Sequence, residues 1–331
     1  MAGWRVFGLE LSPYSVKVRS YFRYKRIPHE WVVRHLGNMA EFQKHAKLPL
    51  IPLVLGPDGE ALQDSTPILE TLEARHPEPS IHPPDPASAF LSALLEEYGD
   101  EWGNKWMFHY RWWYEADQES AATRIAQWNL PGADEAAVAK MAGALKQRMI
   151  PRLSFVGSNE TTKPVIEASF ERVVGLLEEH LAARPYLFGG RPAFADFGVW
   201  PQLYETWTDP TPGALLRARA PRVCAWIERM LEPAAAGAFE PWDALAPTLE
   251  PLLREEVAER FLPWSTANAT ALAAGQADFT VDLSGRAFAQ QTQKYHARSL
   301  RALRERYRAV ADRAALDAVL ARTGCLTWLA P

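Results

Sequence analysis

Cysteine is nearly missing from this 331-residue chain. Cys224 and Cys325 stand alone and far apart, with no C-x-x-C pair. That excludes a disulfide framework and a dithiol redox centre, and it suits a reducing, cytoplasmic setting. Charge has no dominant sign: 36 basic and 40 acidic residues leave a net −4, with no global attraction to nucleic acid or to an acidic membrane. No apolar run approaches the roughly 20 residues needed to span a bilayer. The first residues also lack the apolar core of a secretion signal. The histidine pairs His29/His35 and His76/His82 have no partner carboxylates or cysteines at metal-site spacing, so no metal is expected. Neither a G-x-G-x-x-G nor a P-loop pattern occurs, which argues against a nucleotide cofactor. A G-x-S-x-G nucleophile elbow is missing too.

What is present is ordinary for a globular protein, at 48% hydrophobic and 23% charged residues, and the length suits two domains. The first 80 residues alternate strand and helix signals. Strands are expected at Trp4–Leu11, His29–Arg34, Leu50–Leu55 and Glu60–Gln63, the last two joined by an Asp58-Gly59 turn. Helices are expected at Tyr14–Arg26, Met39–Ala46 and from Asp64-Ser65-Thr66-Pro67 to His76, with Ser65 or Thr66 as cap. A bridge from Pro77 to Pro86 carries five prolines and reads as a linker. Helical patterns follow at 87–113, 133–148, 164–183, 194–206, 221–231, 248–262 and 290–321, interrupted by a short hairpin near 278–288. The arginines of the last pattern, from Arg298 to Arg313, read as a solvated face.

The most informative residues are Ser12-Pro13-Tyr14-Ser15, between the first strand and the first helix. They read as a C-P-Y-C loop with serine in place of both cysteines. A serine hydroxyl cannot exchange disulfides, but it can donate a hydrogen bond to a bound thiolate at a helix N-terminus. Ser12 is the preferred donor, Ser15 one turn on is the alternative, and simple helix capping by Ser12 is compatible with either. Thiols titrate near 8.5, so only about 3% is ionised at neutral pH. Lowering that value by about 2 requires about 2.7 kcal/mol of preference for the thiolate.

Three motifs together resemble the glutathione S-transferase superfamily. They are the Ser12–Arg19 loop and helix; Ile51-Pro52 followed by Asp64-Ser65; and Arg191–Gly198 with Pro221–Ile227. The resemblance implies an α+β fold: a thioredoxin-like βαβαββα domain at 1–80, then an all-α domain at 87–331. In that second domain 87–232 is family-like and 233–331 an extension. It implies glutathione as co-substrate, with Ser12 or Ser15 at its sulfur. A cis bond at Ile51-Pro52 would expose the backbone N–H and C=O of Ile51 to the cysteinyl part of glutathione, and Asp64 and Ser65 would take its γ-glutamyl end. An apolar small-molecule electrophile would lie against Tyr14 and an aromatic stripe, Trp102, Trp106 and Tyr110, although such a stripe equally describes a core-facing helix.

The implied protein is a cytoplasmic glutathione transferase, a homodimer being the family habit rather than a reading of these residues. A non-catalytic ligand carrier or scaffold of the same fold is the alternative, and a glutathione-dependent isomerase or dehalogenase a third reading. Ala193, where the family usually has a Ser or Thr, removes a helix-capping hydroxyl, and Asp196 is read as a folding residue.

Overall fold

The computed structural model describes residues 3–330. A four-stranded sheet of order β2-β1-β3-β4 is formed by β1 (Trp4–Gly8), β2 (His29–Val33), β3 (Leu53–Leu55) and β4 (Ala61–Gln63). β1 is parallel to β2 and antiparallel to β3, and β3 is antiparallel to β4. The parallel pair requires a crossover, which α1 (Pro13–Tyr24) supplies. α2 (Met39–His45) precedes β3, and α3 (Ser65–Arg75) follows β4. Alternation along the strands splits the packing: Val6 and its partner Val54 join the main core with Val16, Ile68 and Leu72. Phe7 and its partner Leu53 face the other way, onto Phe42 of α2.

After the proline-rich bridge the chain is helical. The Asp85 carboxylate accepts the Ser88 N–H at 2.8 Å and caps α4 (Pro86–Tyr98). α4 runs through a π turn, Gly99–Gly103, into α5 (Asn104–Trp113). Then come α6 (Glu115–Asn129), α7 (Glu135–Met149), α8 (Lys163–His180), α9 (Phe194–Thr208), α10 (Pro210–Arg219) and α11 (Pro221–Arg229). The π turn sits where α4 and α9 touch backbone to backbone: a Cβ on Gly99 would lie 2.5 Å from the Gly198 carbonyl carbon, and one on Gly198 2.4 Å from the Glu96 oxygen. The extension adds α12 (Trp242–Leu252), which passes through a second π stretch into α13 (Leu262–Ala273). The hairpin of β5 (Asp278–Leu283) and β6 (Arg286–Gln291), α14 (Lys294–Ala309), α15 (Ala314–Arg322) and α16 (Leu326–Leu329) complete it. The extension is not a separate lobe: Phe261, Trp264, Phe288 and Leu303 belong to the same core as α4 and α8.

The structure corrects several expectations. The first strand ends at Gly8 rather than Leu11, and the third begins at Leu53 rather than Leu50. The expected single helix at 290–321 is a strand end followed by two helices that break at residues 310–313. α6 lies outside the expected helices, because it packs through Ala121, Ala122 and Ala126, which give little hydrophobic contrast. α10 is masked in the sequence by Pro210, Pro212 and Gly213, although proline is tolerated in a first helical turn. α3 is not capped by Ser65 or Thr66: Asp64 precedes it with φ +76°, and the Thr66 hydroxyl donates to Glu96 at 2.7 Å instead. The arginine face is not wholly solvated, since Arg306 pairs with Glu70 of α3.

Asp196 has the folding role expected of it. Its carboxylate accepts the Ala193 N–H at 2.8 Å, the Leu187 N–H at 3.0 Å and the Trp226 Nε1–H at 2.9 Å, all buried. Asp196→Ala leaves three buried donors unpaired and is expected to cost at least about 2 kcal/mol. Urea midpoints check this, and a loss below about 0.5 kcal/mol would show that the three bonds matter little.

Candidate functional site

The Leu9–Ser12 loop is held from α1 and from the helical domain. Arg19 forks onto Glu10 at 2.5 and 2.6 Å, and the Tyr204 hydroxyl donates to Glu10 at 2.6 Å. Arg111, buried against Glu205 and Asp209, donates to the Leu11 carbonyl at 3.1 Å. Gly8 lets Trp31 and the start of α1 approach the end of β1: a Cβ there would stand 2.4 Å from Trp31 and 2.8 Å from the Ser15 Cβ.

Ser12 caps α1 with Pro13 at the first helical position. Its Oγ accepts from the Ser15 N–H at 3.3 Å and from the Ser15 hydroxyl at 2.9 Å. Ser15 is fully buried and its hydroxyl meets no other acceptor among the described residues, so the arrangement that strands no proton has Ser15 donating to Ser12. The half-buried Ser12 then keeps its own proton for an outside acceptor. Tyr14 cannot compete as a donor. Its hydroxyl is spent on the Asp100 carbonyl at 3.1 Å and accepts from Asn104 at 2.7 Å. Burial, with Asp100 and Glu101 nearby, also raises its pKa well above the phenol range.

A cavity of about 260 Å³ gathers Tyr14, Ile51, Pro52, Asp64 and Ser65 on its walls. The Ile51–Pro52 peptide is cis. Gln63 clamps the preceding loop with four bonds: its Oε1 accepts from Lys47 N and Leu48 N, and its Nε2 donates to the carbonyls of Leu48 and Leu50. Ser12 and Ser15 are not on its wall, which this loop reaches through Tyr14.

The aromatic stripe does not line the cavity. Trp102 and Trp106 are fully buried and Tyr110 nearly so. Both indoles donate to the Ser169 hydroxyl, at 2.8 and 3.0 Å, and Trp102 packs edge-on against Trp264 of α13. The extension supplies a second layer over this helix, which turns a candidate pocket face into core. Sequence reasoning in turn missed Tyr295 and Arg298 of α14, which complete the cavity wall. The Tyr295 hydroxyl donates to Asp64 at 3.1 Å across 231 residues of sequence. No local signal could have announced that contact.

Behind the loop lies Lys17, fully buried on α1. Its Nζ meets Glu96 and Asp100 at 2.5 Å each and Thr66 at 3.0 Å. Burial opposes its charge, but the two carboxyls outweigh that and raise its pKa above the ordinary value. Three carboxyls, Glu96, Glu97 and Asp100, crowd this one ammonium, so the cluster holds protons as a unit. Burial pushes Asp100 up to about 8.

Models of the N-terminal and C-terminal domains of glutathione S-transferases match residues 6–80 and 135–229. Solved structures similar to this chain include a glutathione S-transferase from Methylobacterium radiotolerans in complex with glutathione sulfonate. It is 21% identical, with 72% of this chain and 98% of that one covered, at a TM-score of 0.42. A beta-etherase from Sphingobium is 20% identical over 76% of this chain and 100% of its own, at 0.45. A bacterial maleyl pyruvate isomerase of the Zeta class is 24% identical over 68% and 95%, at 0.39. No curated protein matches. Among the described residues, no group of His, Cys, Asp and Glu is arranged to hold a metal, and no helix is long and apolar enough to cross a membrane.

The Lys17 cluster can be tested by substitution and by pH. Lys17→Met strands buried carboxylates and is expected to cost about 3–5 kcal/mol. Adding Glu96→Gln should return part of that loss in denaturant unfolding, and a double variant no more stable than the single one counts against the ion cluster. As for pH, a carboxyl whose pKa lies higher in the folded protein than its ordinary 3.8 stabilises the fold fully below that value and loses the contribution as pH rises to about 8. Asp100→Asn, which cannot ionise, should flatten that part of the stability curve, and an unchanged slope from pH 4 to 8 would exclude Asp100 as its source.

Proposed function

The chain belongs to the glutathione S-transferase superfamily, and we propose that it binds glutathione and activates the thiol for attack on an apolar electrophile. One observation carries the reading: Ile51, Pro52, Asp64 and Ser65, drawn from two separated stretches of sequence, converge on one cavity whose wall also takes Tyr14, two residues after Ser12. In this reading the backbone of Ile51, just outside the β3 ladder, meets the cysteinyl unit. Asp64 and the start of α3, at Ser65, take the ammonium and carboxylate of the γ-glutamyl end. Ser12 donates to the thiolate, and Ser15 orients Ser12 rather than touching sulfur. A hydrogen bond to the charged form and the N-terminus of α1 both lower a thiol pKa.

The electrophile contacts differ from the sequence expectation. Apolar surface at the cavity comes from Leu48 and Leu50, both largely exposed, together with Ile51. The 1–80 unit carries the thiol site in this proposal, with α14 of the extension as its cover. A homodimer in the cytoplasm, the habit of many family members, belongs to the same proposal. A ligand carrier without catalysis is favoured by one feature, the Tyr295 hydroxyl already seated on Asp64.

Ultraviolet titration of the bound glutathione thiolate tests this. A transferase is expected to show a bound-thiol pKa about 2 below the free value. Ser12→Ala should return it toward the free value, and Ser15→Ala should return it in part. Binding with an unshifted thiol supports the carrier, and no binding at all sinks both.

A further inference from the structure

Among the described residues, Arg298 is the one cation on the wall of the cavity that gathers Ile51, Asp64 and Ser65. It belongs to α14, in the extension. The other basic side chains at this junction are committed to carboxyls: Lys17 to Glu96 and Asp100, His296 to Glu101, and Arg306 to Glu70. Arg298 pairs with no carboxyl among the described residues. Its guanidinium lies over the Tyr295 ring, with Cζ 5.4 Å from the ring centre. A guanidinium held in this way keeps its N–H groups for a partner, and their planar fork matches a carboxylate.

Asp64 is its neighbour. Both residues also reach a second cavity, of about 200 Å³, between α3, α4 and α14. Tyr295 touches both, with its ring against the guanidinium and its hydroxyl donating to Asp64 at 3.1 Å. The two opposite charges are therefore close without pairing with each other. The start of α3, at Ser65, is on the same wall, and no side chain caps it. Free N–H groups and the helix dipole favour an anion there. A plain carboxylic acid would gain Arg298 but meet repulsion from Asp64, and a plain amine would meet the reverse. The head of an α-amino acid, an ammonium beside a carboxylate, satisfies both.

On the reading that glutathione occupies this cavity, we propose that Arg298 is a specificity-determining residue that binds the α-carboxylate of the γ-glutamyl end, while Tyr295 yields Asp64 to the adjoining ammonium. The exchange at Asp64 is favourable, because an ammonium brings a full charge where the phenol brings a neutral O–H, and charge-assisted bonds are roughly twice as strong. The released Tyr295 hydroxyl turns to solvent, since that residue is 43% exposed. The extension thus supplies half of the recognition of the γ-glutamyl head.

The experiment is equilibrium binding of three peptides to the full-length protein. Glutathione is compared with 4-aminobutyryl-cysteinylglycine, which lacks the α-carboxylate, and with glutaryl-cysteinylglycine, which lacks the ammonium. Glutathione should bind at least about tenfold more tightly than either. Arg298 is exposed, so its replacement leaves the core intact. Arg298→Ala should weaken glutathione at least about tenfold and leave the 4-aminobutyryl peptide within about twofold, and Arg298→Lys should recover part of the loss. Tyr295→Phe, which keeps the ring against Arg298, should tighten glutathione several-fold and leave the glutaryl peptide unchanged. Undiminished glutathione binding in Arg298→Ala, or an equal loss for glutathione and the 4-aminobutyryl peptide, overturns the proposal while the glutathione reading stands. Weaker glutathione binding in Tyr295→Phe overturns it as well. No glutathione binding to the unaltered protein overturns both.

Discussion

Everything near the candidate site depends on one buried ammonium. Lys17 projects from α1 into a space bounded by α3, α4 and the π turn, and meets Thr66, Glu96 and Asp100 there. Taking a lysine and two carboxyls out of water is unfavourable unless they satisfy one another, so the pairing fixes the distance between the sheet domain and the first long helix. The Ser12 loop begins the same helix that carries Lys17, and the Asp100 carbonyl receives the Tyr14 hydroxyl. The loop and the helix start are therefore both tied to the helical domain.

The extension changes what that assembly presents. Without the extension the Trp102 face between α4 and α5 would lose the rings that cover it. Here Trp264 and Phe288 pack against Trp102, and Lys105 lies 3.9 Å from the Trp264 ring while its Nζ donates to Gln290 of β6 at 2.7 Å. Without a carboxylate partner, burial lowers the pKa of Lys105 well below the ordinary lysine value. The extension then reaches the cavity at Ile51 and Asp64 through Tyr295 and Arg298 of α14. One added segment thus closes one face into core and supplies the wall of another, because a helix must bury its apolar stripe against something and α4 was the apolar surface on offer.

Much of the first domain is legible in the sequence. Alternation of apolar residues marks strands, an Asp-Gly pair marks the hairpin, and serine and proline mark the start of α1; all are local signals with local causes. Ser12, Ser15, Ile51, Pro52, Asp64 and Ser65 stand out because their order along the chain is itself the motif. The structure adds a direction to the serine pair, since only the buried state of Ser15 shows which hydroxyl must give its proton. Helices α6 and α10 are illegible for the opposite reason: alanine packing and prolines carry weak or contrary local signals.

The sequence by itself determined the order of elements, the α+β class and the loop that starts α1, since these follow from periodicity and from backbone preferences within a few residues. Only the tertiary structure decided which side chains line the cavities. A stripe at helical spacing says that one face is apolar, not whether a ligand or another helix covers it. The meeting of Tyr295 with Asp64, like that of Arg306 with Glu70, is set by how α14 packs on α4. Contacts of that kind belong to the whole fold, because the burial that makes them favourable exists only once the core has formed.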